Sequence, residues 1–169
     1  MRAKSCICES GEPKIPRKPS KRRAKPAVRI QYGALPYRLT EAAALEVLLV
    51  TTRQSKRWII PKGWPIKGLK PAKSAAREAF EEAGVRGRVG AKAIGVFGYD
   101  KLIDETGVTA VCQVKVFPLL VTSQSEAWPE VDQRMALWVE PGRAAALIEE
   151  TELKKLVAGF AKKTEGAPS

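Results

Sequence analysis

Three glutamates lie close together in one segment of the sequence, at Glu78, Glu81 and Glu82. If this segment is a helix, the i, i+3, i+4 spacing places all three carboxylates on one helical face within a single turn. Hard divalent cations such as Mg²⁺ prefer oxygen ligands, and carboxylates from one turn can hold the ion while leaving coordination positions for water and phosphate. The spacing therefore favours a metal site. A solvated acidic face, with Lys73 and Arg77 as ion-pair partners, is the alternative that spacing alone leaves open.

The chain contains no histidine among its 169 residues. This excludes histidine-based catalytic triads, histidine general bases and histidine-ligated zinc. The three cysteines are too few for a disulfide framework. Acid–base or metal chemistry must therefore use carboxylates, lysines, tyrosines or those cysteines.

The segment that carries the glutamates has the signals of a helix packed on a sheet. Pro71 suits a first helical turn, and Gly84 is a natural helix stop, so we expect a helix between them. Small residues suited to close packing occupy its other side: Ala72, Ala75, Ala79 and Ala83, with Phe80 beside them. A helix seated in this way would point its acidic face out into a cleft.

The remaining elements alternate between strands and helices. After the last strand, residues 142–162 have a helical pattern with a break near Thr151. The order indicates an α+β or α/β/α protein, with a mixed sheet, one helix inserted mid-chain and one or two helices at the end. Alternating or β-branched segments predict strands at residues 27–38, 45–52, 58–61, 94–99, 109–121 and 137–139.

Basic residues are unevenly distributed along the chain. Lys and Arg number 30 against 18 Asp and Glu, a net charge of +12, and residues 1–26 hold nine of those bases with only two acids. This proline-containing tail lacks the large apolar residues that a packed element needs. It is either a solvated, disordered leader or an arm that binds a polyanion such as RNA, DNA or polyphosphate.

A single domain fits the length of the chain. We expect it to span residues 27–163, preceded by the basic tail of residues 1–26 and followed by a flexible C-terminus at residues 164–169. No apolar run approaches the roughly 18 residues of a membrane span, and the first residues lack the apolar stretch of a signal peptide. We therefore expect a soluble cytoplasmic protein without a membrane partner, and the sequence carries no signal for its oligomeric state.

The glutamates belong to a longer motif. Gly63 is followed, after thirteen residues, by the run from Arg77 to Val85, REAFEEAGV. This arrangement resembles the Nudix box, in which Gly, five residues, Glu and seven residues precede Arg-Glu-apolar-any-Glu-Glu-any-Gly-apolar. One fixed position departs from the pattern, because Leu69 stands where the first box Glu belongs. The resemblance covers roughly residues 28–160 in element order.

The resemblance to the Nudix family implies an αβα sandwich fold and the hydrolysis of a phosphoanhydride bond. It implies that Glu78 and Glu82 bind Mg²⁺, or Mn²⁺ in its place, together with a main-chain carbonyl near Lys62 or Gly63. Glu81 would be the general base that activates water, with Glu82 as the other candidate for that role.

Two further features of the box have implied supporting roles. Arg77 would pair with a box carboxylate and orient it. Gly63 and Gly84 are structural positions of the motif, and Gly84 would give the chain its sharp exit from the helix. Because the three helix glutamates are all present, we expect activity to survive the change at Leu69.

The segments around the box are most similar to the diphosphoinositol polyphosphate phosphohydrolase branch, which cleaves inositol pyrophosphates and long dinucleoside polyphosphates. ALPYR, LEVLLVTT, RWIIPKG and REAFEEAGVRG occur in that branch's order. A basic residue that the branch places before the long central strand is not matched, because Val108 and Thr109 stand there. A dense polyanion needs several Arg or Lys groups. The matched positions predict contacts with the polyphosphate from Arg29, Thr51, Thr52 and Arg134, with Arg53 and Lys62 close by as further substrate-binding residues.

The sequence is also compatible with two other functions. One is a pyrophosphohydrolase acting on the triphosphate end of RNA, with the basic tail holding the transcript. The other is a non-catalytic, polyanion-binding module whose box has lost its function at Leu69.

Overall fold

The computed structural model describes residues 28–102 and 109–165. The expectations for the basic tail at residues 1–26 and for residues 166–169 of the C-terminus lie outside the described residues. The described residues form eight strands and three helices, in the order β1 (Arg29–Leu39), β2 (Leu45–Thr51), β3 (Trp58–Ile59), β4 (Lys62–Gly63), α1 (Pro71–Ala83), β5 (Val85–Val89), β6 (Gly95–Leu102), β7 (Thr109–Gln124), β8 (Ala136–Val139), α2 (Pro141–Leu147) and α3 (Thr151–Glu165).

The strands join in one mixed sheet built around two long central strands. β1 and β7 pair in parallel, from Arg29 opposite Cys112 to Tyr37 opposite Leu120. The main path of the sheet is β3-β2-β1-β7-β5, with β4 paired to β1, β6 paired to β7 and β8 paired to β2. Every strand pairing other than β1 with β7 is antiparallel. The α+β fold with a mixed sheet is thereby confirmed.

The helices cover the sheet and complete the core. α1 packs against β1, β4 and β5, while α2 and α3 pack on each other and against β2, and α3 also contacts β6. The small-residue face predicted for α1 is confirmed, because Ala75, Ala79 and Ala83 are fully buried. In β2 every position from Val47 to Val50 is buried, which requires cover on both faces of the sheet. Within the described ranges, no helix combines the length and the apolar character that crossing a bilayer demands.

Two strands lie where the sequence pattern predicts none. β4, at Lys62–Gly63, falls between the strand predicted at residues 58–61 and the helix predicted from Pro71, and it forms because the chain pairs there with Tyr32 and Gly33 of β1. β5, with the sequence VRGRV, lacks apolar alternation and is a strand because it pairs with the last residues of β7. That pairing also explains why β7 runs to Gln124, beyond the predicted end at residue 121.

Candidate active site

The helix α1 begins and ends where its local sequence requires. Pro71 occupies the first turn, after Lys70 in an extended conformation. Gly84 ends the helix in the left-handed region, with φ of 71°, and its N–H donates to the carbonyl of Phe80 at 2.8 Å. A side chain at Gly84 would also lie 2.7 Å from the ring of Trp128. Glycine is therefore required at this exit both for backbone conformation and for space.

Glu82 is the most deeply buried carboxylate of the site, with 5% of its surface exposed. Its Oε1 accepts a hydrogen bond from Nη2 of Arg134 at 2.6 Å, and its Oε2 accepts one from the main-chain N–H of Lys62 at 3.3 Å. The carboxylate thus joins α1 to β4 and to the segment before β8. This position differs from the expected acidic face pointing outward, because the partners of Glu82 lie inside the fold.

Arg134 holds this arrangement together from a buried position, with its side chain 8% exposed. Besides Glu82 it donates to the carbonyl of Thr51 at 2.9 Å and, through Nε, to Oε2 of Glu130. Thr51 is buried as well, and its hydroxyl oxygen accepts the N–H of Met135 at 3.0 Å. The end of β2, the β7–β8 connection and α1 therefore meet at one guanidinium group.

Glu78 lies one turn before Glu82 and faces the short strand β4. A Cβ placed on Gly63 would lie 2.1 to 2.2 Å from the carboxyl group of Glu78, so that carboxyl group occupies the space above the glycine. Gly63 itself is held by pairing with Tyr32. A side chain at this position would force the Glu78 carboxyl group to move away from β4.

Burial raises the pKa values of both of these carboxyl groups. For Glu82, burial is the largest cause, and it raises the pKa from 4.5 to about 7 even though Arg134 and Lys62 act to lower it. Burial is also the main cause for Glu78, whose pKa is raised further by the charges of Glu81 and Glu130. Burial therefore disfavours the charged forms of both carboxyl groups, and a bound cation would favour them.

Glu81 faces the more open side of the helix and forms an ion pair with Arg77 at 2.5 Å. The main-chain carbonyl of Glu81 accepts the N–H of Glu130 at 3.1 Å, which ties the β7–β8 connection to the helix. The contact between Arg77 and a box carboxylate is the one expected from the resemblance. Glu130 was not predicted, although its i, i+4 spacing from Arg134 was a signal that could have drawn attention to it.

The donor set fits a hard divalent cation. Among the described residues, no three Asp, Glu or Cys side chains are grouped closely enough to hold an ion by themselves. Mg²⁺ commonly uses only one or two protein carboxylates and keeps several waters or substrate phosphates. Glu78 and Glu82, which approach β4 from successive turns of α1, supply two carboxylates of this kind.

The residues predicted to contact substrate at the end of β2 have different surroundings. Arg53 is exposed, and its Nη2 lies 3.5 Å from Oε1 of Glu130, at the rim of the buried cluster. The hydroxyl of Thr52 shares a hydrogen bond with Ser55 at 2.8 Å and accepts the N–H of Arg57 at 3.1 Å. Arg53 is therefore placed to meet a ligand, whereas the Thr52 hydroxyl is used within its own turn.

Two other predicted cations lie over aromatic rings. The guanidinium of Arg29 is 5.9 Å from the ring centroid of Trp64, and Nζ of Lys62 is 4.6 Å from that of Tyr99. The hydroxyl of Tyr99 donates to Oε1 of Gln31 at 2.6 Å, which fixes the ring below Lys62. Cation–π contacts of this kind orient long basic side chains without neutralising their charge.

Leu69, the departure from the box, is 44% exposed at the end of the loop that leads into α1. It lines a groove between α1 and β5 together with Lys73 and Phe80. At 100° per residue, Lys73 and Phe80 lie on the far side of α1 from Glu78 and Glu82. The change at Leu69 therefore alters a surface away from the two carboxylates that face β4.

Comparison with known proteins gives a consistent result. No family model matches the chain. The chain is 32% identical over 133 residues to Nudix hydrolase 21, chloroplastic, of Arabidopsis thaliana, with 76% of this chain and 64% of the relative covered. It is 38% identical over 86 residues to diphosphoinositol polyphosphate phosphohydrolase 3-alpha of Mus musculus, with 50% of this chain and 48% of the relative covered. The chain thus spans less than two thirds of either relative.

Solved structures support the same fold. The crystal structure of an Ap4A hydrolase from C. elegans superimposes with a TM-score of 0.61 at 20% identity, covering 82% of this chain and 99% of that one. At this identity the likeness concerns the fold. The box residues gathered on α1, the shared fold and the Nudix relatives together place the chain in the Nudix hydrolase superfamily.

Proposed function

We propose that the protein hydrolyses a phosphoanhydride bond in a highly phosphorylated small molecule, either a diphosphoinositol polyphosphate or a dinucleoside polyphosphate, with Mg²⁺ or Mn²⁺ as cofactor. The proposal depends on one observation above all. Two carboxylates with raised pKa values, Glu78 and Glu82, meet the backbone of β4 from successive turns of α1.

Some residues of the cluster position the two glutamates that would bind the metal. Arg134 and the N–H of Lys62 fix the Glu82 carboxylate, while Gly63 leaves room for Glu78. These two glutamates would hold the metal. When bound, a divalent ion of this kind neutralises phosphate oxygens and lowers the pKa of a water.

Glu81 is the best-placed acceptor for the proton of the attacking water. It lies on the same helix as the two proposed ligands, is more exposed than Glu82, and is oriented by Arg77. In the reaction the water oxygen bonds to phosphorus, Glu81 takes the proton, and the bridging P–O bond breaks to release the leaving phosphate. Glu82 is less suited to this role because both of its oxygens already accept hydrogen bonds.

Basic side chains around the cluster support the substrate class. Arg29 and Lys62 lie over the rings of Trp64 and Tyr99, and the exposed Arg53 contacts Glu130, so these cations would attract an extended polyphosphate. The names of two similar proteins, a diphosphoinositol polyphosphate phosphohydrolase and an Ap4A hydrolase, support this class. Arg134 is assigned to holding Glu82 rather than to direct contact with substrate, because its donors are directed at protein acceptors.

The test is phosphate release from three substrates measured side by side, each with Mg²⁺ and with EDTA. The substrates are a diphosphoinositol polyphosphate, a diadenosine polyphosphate and an RNA with a 5′-triphosphate. We expect metal-dependent release from the first two at rates well above that from the RNA. Fastest turnover of the RNA would replace the proposed substrate class. Retained polyphosphate binding without turnover of any of the three would identify a non-catalytic module.

The cytoplasmic location remains a prediction. One of the similar proteins is named as chloroplastic, so the compartment has to be established by imaging of the tagged protein. The basic tail as a nucleic-acid contact also remains a prediction, and removing residues 1–26 would lower turnover of triphosphate-ended RNA while sparing small substrates if the tail has that role.

A further inference from the structure

An open groove of about 450 Å³ lies between α1 and β5, on the side of α1 away from Glu78 and Glu82. Its floor is apolar and its rim is basic. We call it the α1–β5 groove. Leu69, Phe80 and Leu119 belong to its floor, and Lys73, Arg77 and Arg86 form its rim.

Leu69 and Phe80 make part of the apolar floor accessible to a ligand, whereas Leu119 is fully buried. Leu69 leaves 44% of its surface exposed, and the ring of Phe80 is only partly buried. At the Leu69 position a Nudix box ordinarily has a glutamate, which would place a negative charge beside the basic rim. In this chain the same position adds apolar surface and leaves the positive charge of the rim uncompensated.

The rim carries positive charge in fixed positions. The guanidinium of Arg86 lies 3.7 Å from the ring centroid of Phe80, which holds its charge at the mouth of the groove. Among the described carboxylates none forms an ion pair with Lys73 or Arg86, whereas Arg77 is paired with Glu81. The sequence from residue 83 to 99 contains no acidic residue. A ligand for this groove must therefore be acidic as well as partly apolar.

The neighbouring strand favours a peptide over other acidic ligands. β5 is the last strand of the sheet and pairs only with β7 among the described strands. Edge strands present main-chain donors and acceptors that an extended peptide can use. A nucleic-acid backbone would find no use for the apolar floor. A second copy that used the same surface would place basic rim against basic rim, and residues 1–26 carry the same sign of charge.

We propose that the α1–β5 groove is a docking surface for an extended acidic segment of a partner protein, with one apolar side chain of that segment seated against Leu69 and Phe80. The acidic residues on either side of the apolar one meet Lys73 and Arg86. Lys73 and Arg86, which meet the acidic residues, lie away from Glu78 and Glu82, while Arg77 at the rim contacts Glu81 of the proposed catalytic cluster.

Fluorescence anisotropy with a labelled heptapeptide tests the proposal. The probe has one Leu between two runs of three acidic residues, a second peptide has Ser in place of the Leu, and a seven-nucleotide oligouridylate serves as the nucleic-acid probe. The variant K73E/R86E reverses two rim charges, and R143E/K155E makes the same charge change at exposed positions of α2 and α3. All proteins are used as the full chain at about physiological salt.

We expect saturable binding of the Leu peptide by the natural protein and by R143E/K155E, with affinities within about twofold. K73E/R86E should bind it at least about tenfold more weakly, and the Ser peptide should bind the natural protein roughly fivefold more weakly. If K73E/R86E fails to fold, Leu69→Glu, at an exposed position, should show the same tenfold loss. Absence of saturable binding, equal binding of the two peptides, or oligouridylate binding as tight as the Leu peptide would each overturn the proposal.

Discussion

Replacing Arg134 by methionine should destabilise the protein, because it removes the cation from a buried cluster of acceptors. Both side chains of the Arg134–Glu82 pair are almost inaccessible, at 8% and 6% exposed. Arg134→Met leaves the carboxylates of Glu82 and Glu130 and the carbonyl of Thr51 without their shared donor. Breaking one partner out of a buried pair costs about 3–5 kcal/mol. We expect a loss of that size in urea unfolding measured without metal at pH 8.5.

The stability lost in Arg134→Met should also increase as the pH rises. The pKa of Glu82 in the folded protein is about 7 against 4.5 ordinarily, so between those values the folded state binds more protons than the unfolded state and stability falls as pH rises. Arg134 is the group that most lowers this pKa. Without Arg134 the pKa of Glu82 is higher still, so the free energy of unfolding continues to fall above pH 7, by about 1.4 kcal/mol for each pH unit. The difference in free energy of unfolding between Arg134→Met and the natural protein should therefore increase by up to about 2 kcal/mol from pH 7 to 8.5.

Arg53→Met is the matched control, because Arg53 contacts the same carboxylate of Glu130 from an exposed position. Exposed ion pairs contribute about 0–1 kcal/mol, so this variant should unfold within that range of the natural protein at both pH values. A cost of Arg134→Met below about 1 kcal/mol, or a cost that is the same at pH 7 and pH 8.5, would contradict this role of Arg134.

Three further predictions concern the metal, the glycine of β4 and the departure from the box. In metal-free buffer the unfolding temperature, measured by scanning fluorimetry, should fall from pH 4.5 to 7, because Glu82 ionises at lower pH in the unfolded state than in the folded state. Millimolar Mg²⁺ at pH 7.5 should raise the unfolding temperature again. Glu82→Gln should weaken both effects. Gly63→Ala puts a methyl group against the Glu78 carboxyl, so phosphate release should fall at least about tenfold, whereas Gly142→Ala, with open space around it, should leave the rate unchanged. Leu69→Glu restores the usual box residue at an exposed position, and steady-state rates should change less than about threefold; a larger gain or loss would place Leu69 in the catalytic machinery.

The sequence was informative wherever the structure is determined by near neighbours along the chain. The spacing of Glu78, Glu81 and Glu82, the small residues on the opposite side of α1 and the stop at Gly84 all depend on helical periodicity within about four turns. Each of these features can be read from a segment shorter than twenty residues. The fold class followed from the order of such segments.

Features that depend on distant contacts were not predicted. Glu82 is buried because Arg134, more than fifty positions away, and the N–H of Lys62 close over it, and neither contact leaves a pattern in the helix itself. Glu130 enters the site for the same reason, from a connection whose path is set by packing against the end of α1. β5 has two exposed arginines and a glycine in five residues, so its strand conformation is decided by pairing with β7 rather than by its own composition.

Single-turnover phosphate release by Glu81→Gln, Glu82→Gln and the exposed control Glu126→Gln tests the central claim, that the box glutamates of α1 form a catalytic centre. Each reaction contains saturating Mg²⁺ and the preferred substrate of the natural protein. We predict that both box variants lose at least about tenfold in rate, equivalent to roughly 1.4 kcal/mol of barrier, while Glu126→Gln is unchanged. If neither box variant loses tenfold, the assignment of the base and of the metal ligand is wrong.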